Sequence, residues 1–203
     1  FLTGTGNTAS NMTGRADQLT LQRLVDQDTI DCEGSPVAEG QYLVERYFLA
    51  LDTISQSGEP RALALRCAAG NFAYDFDAGV ATWAGTSDFT DNGSIVISRV
   101  DHIQVLLGTN ESVDLSTRPD TNAVRYYTAS DYMGLTVTPK PKITQVKLAL
   151  VVRSATPTNT QLLDNDPVFE LFGEQRTLNN RSASGNYQRE LVEKTILLRN
   201  ARG

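Results

Sequence analysis

Apolar and polar residues alternate with a period of two along much of this chain, and few stretches carry a helical period. Arg61 to Cys67 (RALALRC) puts Leu63, Leu65 and Cys67 on one face and Ala62, Ala64 and Arg66 on the other. This is the pattern of a half-buried strand, with Cys67 pointing inward. The cleanest case is Lys142 to Arg153. There Val146, Leu148, Leu150 and Val152 face one way and Lys147, Ala149, Val151 and Arg153 the other, as expected of a central antiparallel strand. Gln41 to Leu51 (QYLVERYFLAL) fits either period. Its aromatic content favours a strand, antiparallel to 61–67 around the Gly58–Pro60 turn.

Further strands are expected from Leu19 to Val25, over Val80–Trp83 and Ser94–Ser98, over Val100–Leu107 and Val124–Thr128, and in the closing run Leu191–Arg199, where Ile196 and Leu198 are expected to be buried. Asp91-Asn92-Gly93 between the second and third of these is a hairpin signal. Polar stretches at 108–122, 156–166 and 173–186 read as surface loops. Residues 1–15, which open FLTGTGNTASNMTG without an apolar period, read as a flexible lead-in, and residues 16–203 as one domain. About eight or nine strands result, with little helix and no internal repeat.

A chain of 203 residues with 40% hydrophobic and 21% charged residues buries a core and is neither disordered nor coiled coil. No apolar run approaches the ~20 residues that span a bilayer. A net charge of −6 argues against direct attraction to nucleic acid or anionic lipid. The charge is unevenly divided. Residues 1–139 hold 8 Lys/Arg against 18 Asp/Glu, a net of −10, and residues 140–203 hold 10 against 6, a net of +4. No acidic residue lies between Lys140 and Arg153, so Lys140, Lys142, Lys147 and Arg153 are the interface candidates.

Candidate chemistry is sparse. Cys32 and Cys67 match no zinc or CxxC redox spacing. An even pair fits an exported protein with one disulfide, and two buried thiols are the alternative. His102 is the sole histidine, and its neighbour Asp101 should point to the opposite face of a strand, against a Ser-His-Asp arrangement. Asp75 and Asp77 sit in a loop and read as solvated. No nucleotide-binding loop, nucleophile elbow or metal-binding signature occurs. No catalytic residue, metal or cofactor is expected.

The ordered segments ADQLTLQR, DCEGSPV, ERYFLAL, LALRC, VDHIQVLLGTN, VRYYTASD, ITQVKLALVVRS and ELVEKTILLRN, which span Ala16 to Asn200, resemble the periplasmic domain of PilW-type minor pilins of bacterial type IV pili. Those are relatives of the J-type minor pseudopilins of type II secretion. By that resemblance Asp31, Cys32 and Gly34 match the family's first turn, Cys67 matches the disulfide partner of Cys32, and Leu198, Arg199 and Asn200 match the terminal strand. The fold it implies is α+β and mostly β in this stretch, with pilin-like antiparallel sheets. The family's N-terminal hydrophobic helix is absent here, because LTGTGNTAS after Phe1 cannot form it.

The resemblance implies a structural subunit of a tip or priming complex that initiates pilus assembly. The implied partners are other minor pilins, the major pilin and a tip adhesin, with the membrane reached only through the missing helix. It also implies an inner-membrane anchor with a periplasmic head, then a place at the pilus tip. The alternatives are an exported β-rich adhesin or carbohydrate-binding module, and a type II secretion minor pseudopilin.

Overall fold

A computed structural model describes residues 4–54, 61–84, 92–110, 124–158, 167–179 and 186–198. The strands are β1 (Gly4–Thr8), β2 (Ala16–Leu24), β3 (Thr29–Ile30), β4 (Pro36–Val37), β5 (Tyr42–Leu51), β6 (Leu63–Asp75), β7 (Val80–Trp83), β8 (Ser94–Ser98), β9 (Val100–Asn110), β10 (Val124–Tyr127), β11 (Ile143–Pro157), β12 (Phe169–Leu171), β13 (Glu174–Arg176) and β14 (Tyr187–Leu197), with one short helix, α1 (Ala129–Met133). All described pairings are antiparallel. One sheet runs β1-β2-β5-β6-β7 with β8 also on β6, and a second runs β10-β9-β11-β14. The mostly-β fold follows from the period-two patterning, which leaves each sheet an apolar face to bury.

The two sheets meet through one core. Ala16, Leu19, Leu49 and Leu65 of the first pack with Val100, Ile103, Val105, Leu107, Val146 and Leu150 of the second. The chain passes between the sheets at Arg99, whose φ of 61° turns β8 into β9. The hairpin expected of 41–51 and 61–67 is present, with Leu49 opposite Leu65 and Tyr47 opposite Cys67. β6 is longer than its alternation indicates and is buried on both faces from Leu63 to Gly70. Arg66, placed on its second face, is therefore also buried. Its guanidinium donates to the carbonyls of Leu51, Asn92 and Gly93 and to the Thr53 hydroxyl at 2.9–3.2 Å, which compensates its burial.

Several expectations give way to tertiary contacts. β7 and β8 do not form a hairpin; both pair with β6, β7 along Phe72–Asp75 and β8 along Ala64–Cys67. Gly93, at φ 55°, instead lets the chain approach the Cys67 carbonyl so closely that a side chain there would collide with it. The segment read as a flexible lead-in carries β1, and it buries Asn11 and Met12 completely. Met12 bridges to Leu178 and packs with Ala149, Val151 and Leu171. β11 is thus covered on both faces, Val146 and Leu150 in the inter-sheet core and Ala149 and Val151 in this second cluster.

The region 156–166 begins inside β11, and 173–186 begins at the turn of the β12–β13 hairpin and contains β13. The closing run is a paired strand, with Val146 opposite Ile196. It lies at a sheet edge, so Ile196 stays 43% exposed while Leu198 packs partly against the core. Arg199 and Asn200 fall outside the described residues. Helix α1 was not expected. Thr128 caps it, accepting the Asp131 N–H while its hydroxyl donates to the Asp131 carboxylate, a capping arrangement written in TASD.

Because Met12 is fully buried against the second sheet, Met12→Ala should lower unfolding free energy by about 2–5 kcal/mol. Urea denaturation reads this directly. An unchanged midpoint would mean that the segment before Ala16 contributes nothing to the fold.

Candidate functional site

The turn at 31–34 is built by its own residues. The Asp31 carboxylate accepts the N–H groups of Glu33 and Ser35, each at 2.9 Å, and Gly34 takes φ 87°. An Asp that satisfies amides two and four residues on, followed by a glycine in the left-handed region, is a self-supporting turn. Cys32 within it is bonded to Cys67 of β6, with Cα atoms 6.2 Å apart and a sequence separation of 35. A crosslink of that span contributes roughly 3–4 kcal/mol in the chain-entropy account. Glu45 accepts the Cys32 N–H at 3.0 Å and lies beside the Tyr47 hydroxyl. Burial first, and then the Glu45 charge, push the Tyr47 phenol up to about 12. The two sulfurs and the Glu45 carboxylate lie within 4.8 Å of one another, but each sulfur is engaged by the other.

A second constellation was not anticipated. β9 carries a bulge at its start: Val152 pairs with Val100 and Val151 with His102, leaving Asp101 as the extra residue. The bulge breaks the alternation assumed for this stretch. Asp101 and His102 both reach the segment 10–12 instead of pointing apart. The fully buried Asp101 carboxylate accepts from Asn11 Nδ2 at 2.7 Å and from Arg189 Nε at 2.6 Å, and Arg153 lies 4.0 Å away. His102 Nδ1 lies 2.9 Å from the Ser10 hydroxyl, and its ring is fully buried. Burial, and then the nearby Arg176 charge, lower its pKa to about 4. The Asp101 carboxylate is taken up by the arginines and Asn11, and a ring enclosed in this way offers a substrate no approach. Asp75 caps its own turn, accepting the N–H groups of Asp77 and Ala78.

The four cationic candidates separate. Lys140 Nζ donates to the carbonyls of Tyr132, Met133 and Leu135 at 2.7–3.2 Å, closing the end of α1. Arg153 is 5% exposed and lies against Asp101 and over the Tyr187 ring, 4.5 Å from its centroid. It is buried where the end of the lead-in, at Asn11, and the start of β14, at Tyr187 and Arg189, meet that part of β11. Lys142 is exposed at the start of β11, and Lys147 is half-buried with its ammonium 4.1 Å from the Tyr126 ring centroid. Of the four, only Lys142 is exposed.

Two further surfaces stand out. Tyr42, Phe72 and Trp83 stack in a row at ring separations of 5.2 and 4.9 Å, continued by Tyr74 and Phe76, with Phe76 75% exposed. Periodicity within each strand carried no signal for this row, since Tyr42, Phe72 and Trp83 come into register only across three paired strands. An open groove of about 430 Å³ lies along β10 and α1, lined by Arg125, Tyr127, Ser130 and Asp131 among others.

A family model described as type IV pilus-assembly protein W matches residues 55–200. The matched span runs from before β6 into the residues after β14, so it takes in the second sheet, the inter-sheet crossing at Arg99 and the cationic residues just described. No curated protein and no solved structure matches.

Asp101→Ala removes the buried carboxylate that Arg189 and Arg153 face, and should cost about 3–5 kcal/mol in urea unfolding. Lys142→Ala, at an exposed site, should change little, and equal effects would refute the central role of Asp101. The His102 pKa is lower in the folded chain than the ordinary 6.5. Between about pH 6.5 and 4 the unfolded chain therefore binds more protons, and stability falls as pH drops through that window and levels below it. The loss attributable to His102 approaches roughly 3 kcal/mol. His102→Gln should flatten this slope relative to the parent, and identical slopes would exclude the effect.

Proposed function

We propose that this chain, which belongs to the type IV pilus-assembly protein W family, is the head of a structural minor pilin that joins other minor pilins in a tip or priming complex. The observation that carries this reading is the family match over 55–200, which embraces the second sheet as a folded unit. In this reading the head does no chemistry. It presents surfaces to neighbouring minor pilins, to the major pilin and to a tip adhesin, and the family's N-terminal hydrophobic helix holds it in the inner membrane before it moves to the pilus tip. Among the described residues no helix is long and apolar enough to cross a membrane.

The contact physics is heterologous and extends from subunit to subunit instead of closing. The basic end of the chain, through Lys142 and Lys147, meets an acidic surface of the next subunit. The division of charge into −10 and +4 supports this. A minor pseudopilin of type II secretion would use the same contacts.

One observation favours a second reading, an exported adhesive or carbohydrate-binding module. The exposed row of Tyr74, Phe76 and Trp83 is a stacking platform of the kind that sugar rings use.

The test is pull-down of the purified chain with the minor pilins of the same system at low and high salt. Surface charges are screened over ~8 Å at physiological ionic strength, so capture should weaken as salt rises. Lys142→Glu with Lys147→Glu should weaken it roughly tenfold, from two surface contacts of up to about 1 kcal/mol each, reversed in sign. In cells, deleting the gene should reduce surface pili without depleting the major pilin. Normal piliation and normal secretion, together with glycan binding lost on Trp83→Ala, would replace this reading by the second.

A further inference from the structure

We propose that β14 is a pairing edge for a second copy of this chain, the two β14 strands running antiparallel about a twofold axis at Val192. This goes beyond the minor-pilin reading, which needs contacts between unlike subunits and not self-association.

β14 ends its sheet, and among the described residues no strand pairs with its outer side. It is 11 residues long and pairs with β11 without interruption from Arg189 to Leu197. The direction of its backbone groups can be read from its end. Leu198 N–H donates to Thr144 O of β11 at 2.9 Å. Backbone groups alternate sides along an antiparallel strand, so Ile196, Lys194, Val192 and Glu190 direct theirs at β11. Leu197, Thr195, Glu193 and Leu191 direct theirs outward, where an added strand would take them.

The side chains determine which register an identical strand adopts. A twofold perpendicular to the sheet keeps each residue on its own face, so it must pass through one residue. Centring on Glu190, Glu193 or Lys194 sets that charge against its own copy, which is unfavourable. Centring on Leu191 would rely on Arg189 against Glu193, but Arg189 is already held by the buried Asp101. Centring on Val192 sets Glu190 opposite Lys194 twice and Val192 opposite Val192, and the outward amides and carbonyls of Leu191 and Glu193 then meet reciprocally. Val192 is 45% exposed, and Glu190 and Lys194 are exposed. The same charges that discourage indiscriminate edge pairing thus leave this register open, which is specificity by exclusion of the alternatives.

At the axis the two Val192 residues form a non-hydrogen-bonded pair, with Cα atoms about 4.5 Å apart, a separation that a disulfide can bridge. The experiment uses the whole 203-residue chain with Cys32 and Cys67 intact. Val192→Cys under mild oxidation should give a covalent dimer, and Lys194→Cys, whose copies lie about 13 Å apart in this register, should not. Sedimentation of the unmodified chain at rising concentration should show reversible dimer. Glu190→Lys alone or Lys194→Glu alone should weaken it roughly tenfold, and the two together should restore it. A chain that stays monomeric while Val192→Cys crosslinks no better than Lys194→Cys would overturn the proposal. So would equal weakening in the doubly reversed variant, or crosslinking of Val192→Cys to a different pilin with none to itself. None of these outcomes bears on capture of partner minor pilins through Lys142 and Lys147.

Discussion

The buried carboxylate of Asp101 is the interaction on which the second sheet depends. It is enclosed with Arg189 and Arg153, whose side chains are at most a few per cent exposed, and with Asn11, which itself hydrogen-bonds the Arg61 carbonyl. A charge taken from water is tolerated only when opposite charge and hydrogen bonds replace its hydration. Meeting that condition brings together the N-terminal segment, the turn before β6, and the strands β9, β11 and β14. Such a cluster contributes less net stability than apolar packing of equal size. Its effect is to hold these elements in one arrangement, since any slippage of β14 by one residue would strand Arg189 away from its partner.

The bulge that admits Asp101 to this position also places His102. With the alternation reset, the imidazole enters the space between β11 and the segment 10–12, beside Ser10 and under the influence of Arg176. A lone histidine near an aspartate and a serine has the residue types of a hydrolytic triad, but here the Asp101 carboxylate is taken up by Arg189 and Asn11 and the ring is enclosed. The same residue types in this geometry make a packed and neutral histidine. Its chemical consequence is a dependence of stability on pH and not a reaction.

In the proposed reading, function falls to the surfaces of this chain. The first sheet presents an aromatic row at one end, the second presents Lys142 and Lys147 and the open edge of β14, and the disulfide fastens the 31–34 turn to the middle of β6. Two sheets that share one core hold these surfaces at a fixed spacing, which is what the proposed structural subunit requires.

The sequence by itself determined the strand character of most of the chain, the β5–β6 hairpin, the central place of β11 and the self-contained turn at Asp31. Each of these is carried by local periodicity or by side chains a few residues apart. The resemblance carried by the ordered segments also pointed to the family. Only the tertiary structure decided the rest. The bulge at Asp101 turned Asp101 and His102 toward the same segment and not to opposite faces, and the N-terminal stretch, polar and without period, became buried because Met12 finds Leu178 more than 160 residues away. Arg153, legible as part of a basic surface, lies inside because its counter-charge comes from another strand. β7 and β8 both pair with β6 and not with each other, since β6 is long enough for each to take a different stretch of the same edge. A one-dimensional pattern records which side chains prefer burial, while bulges, long-range ion pairs and edge positions depend on which strands become neighbours.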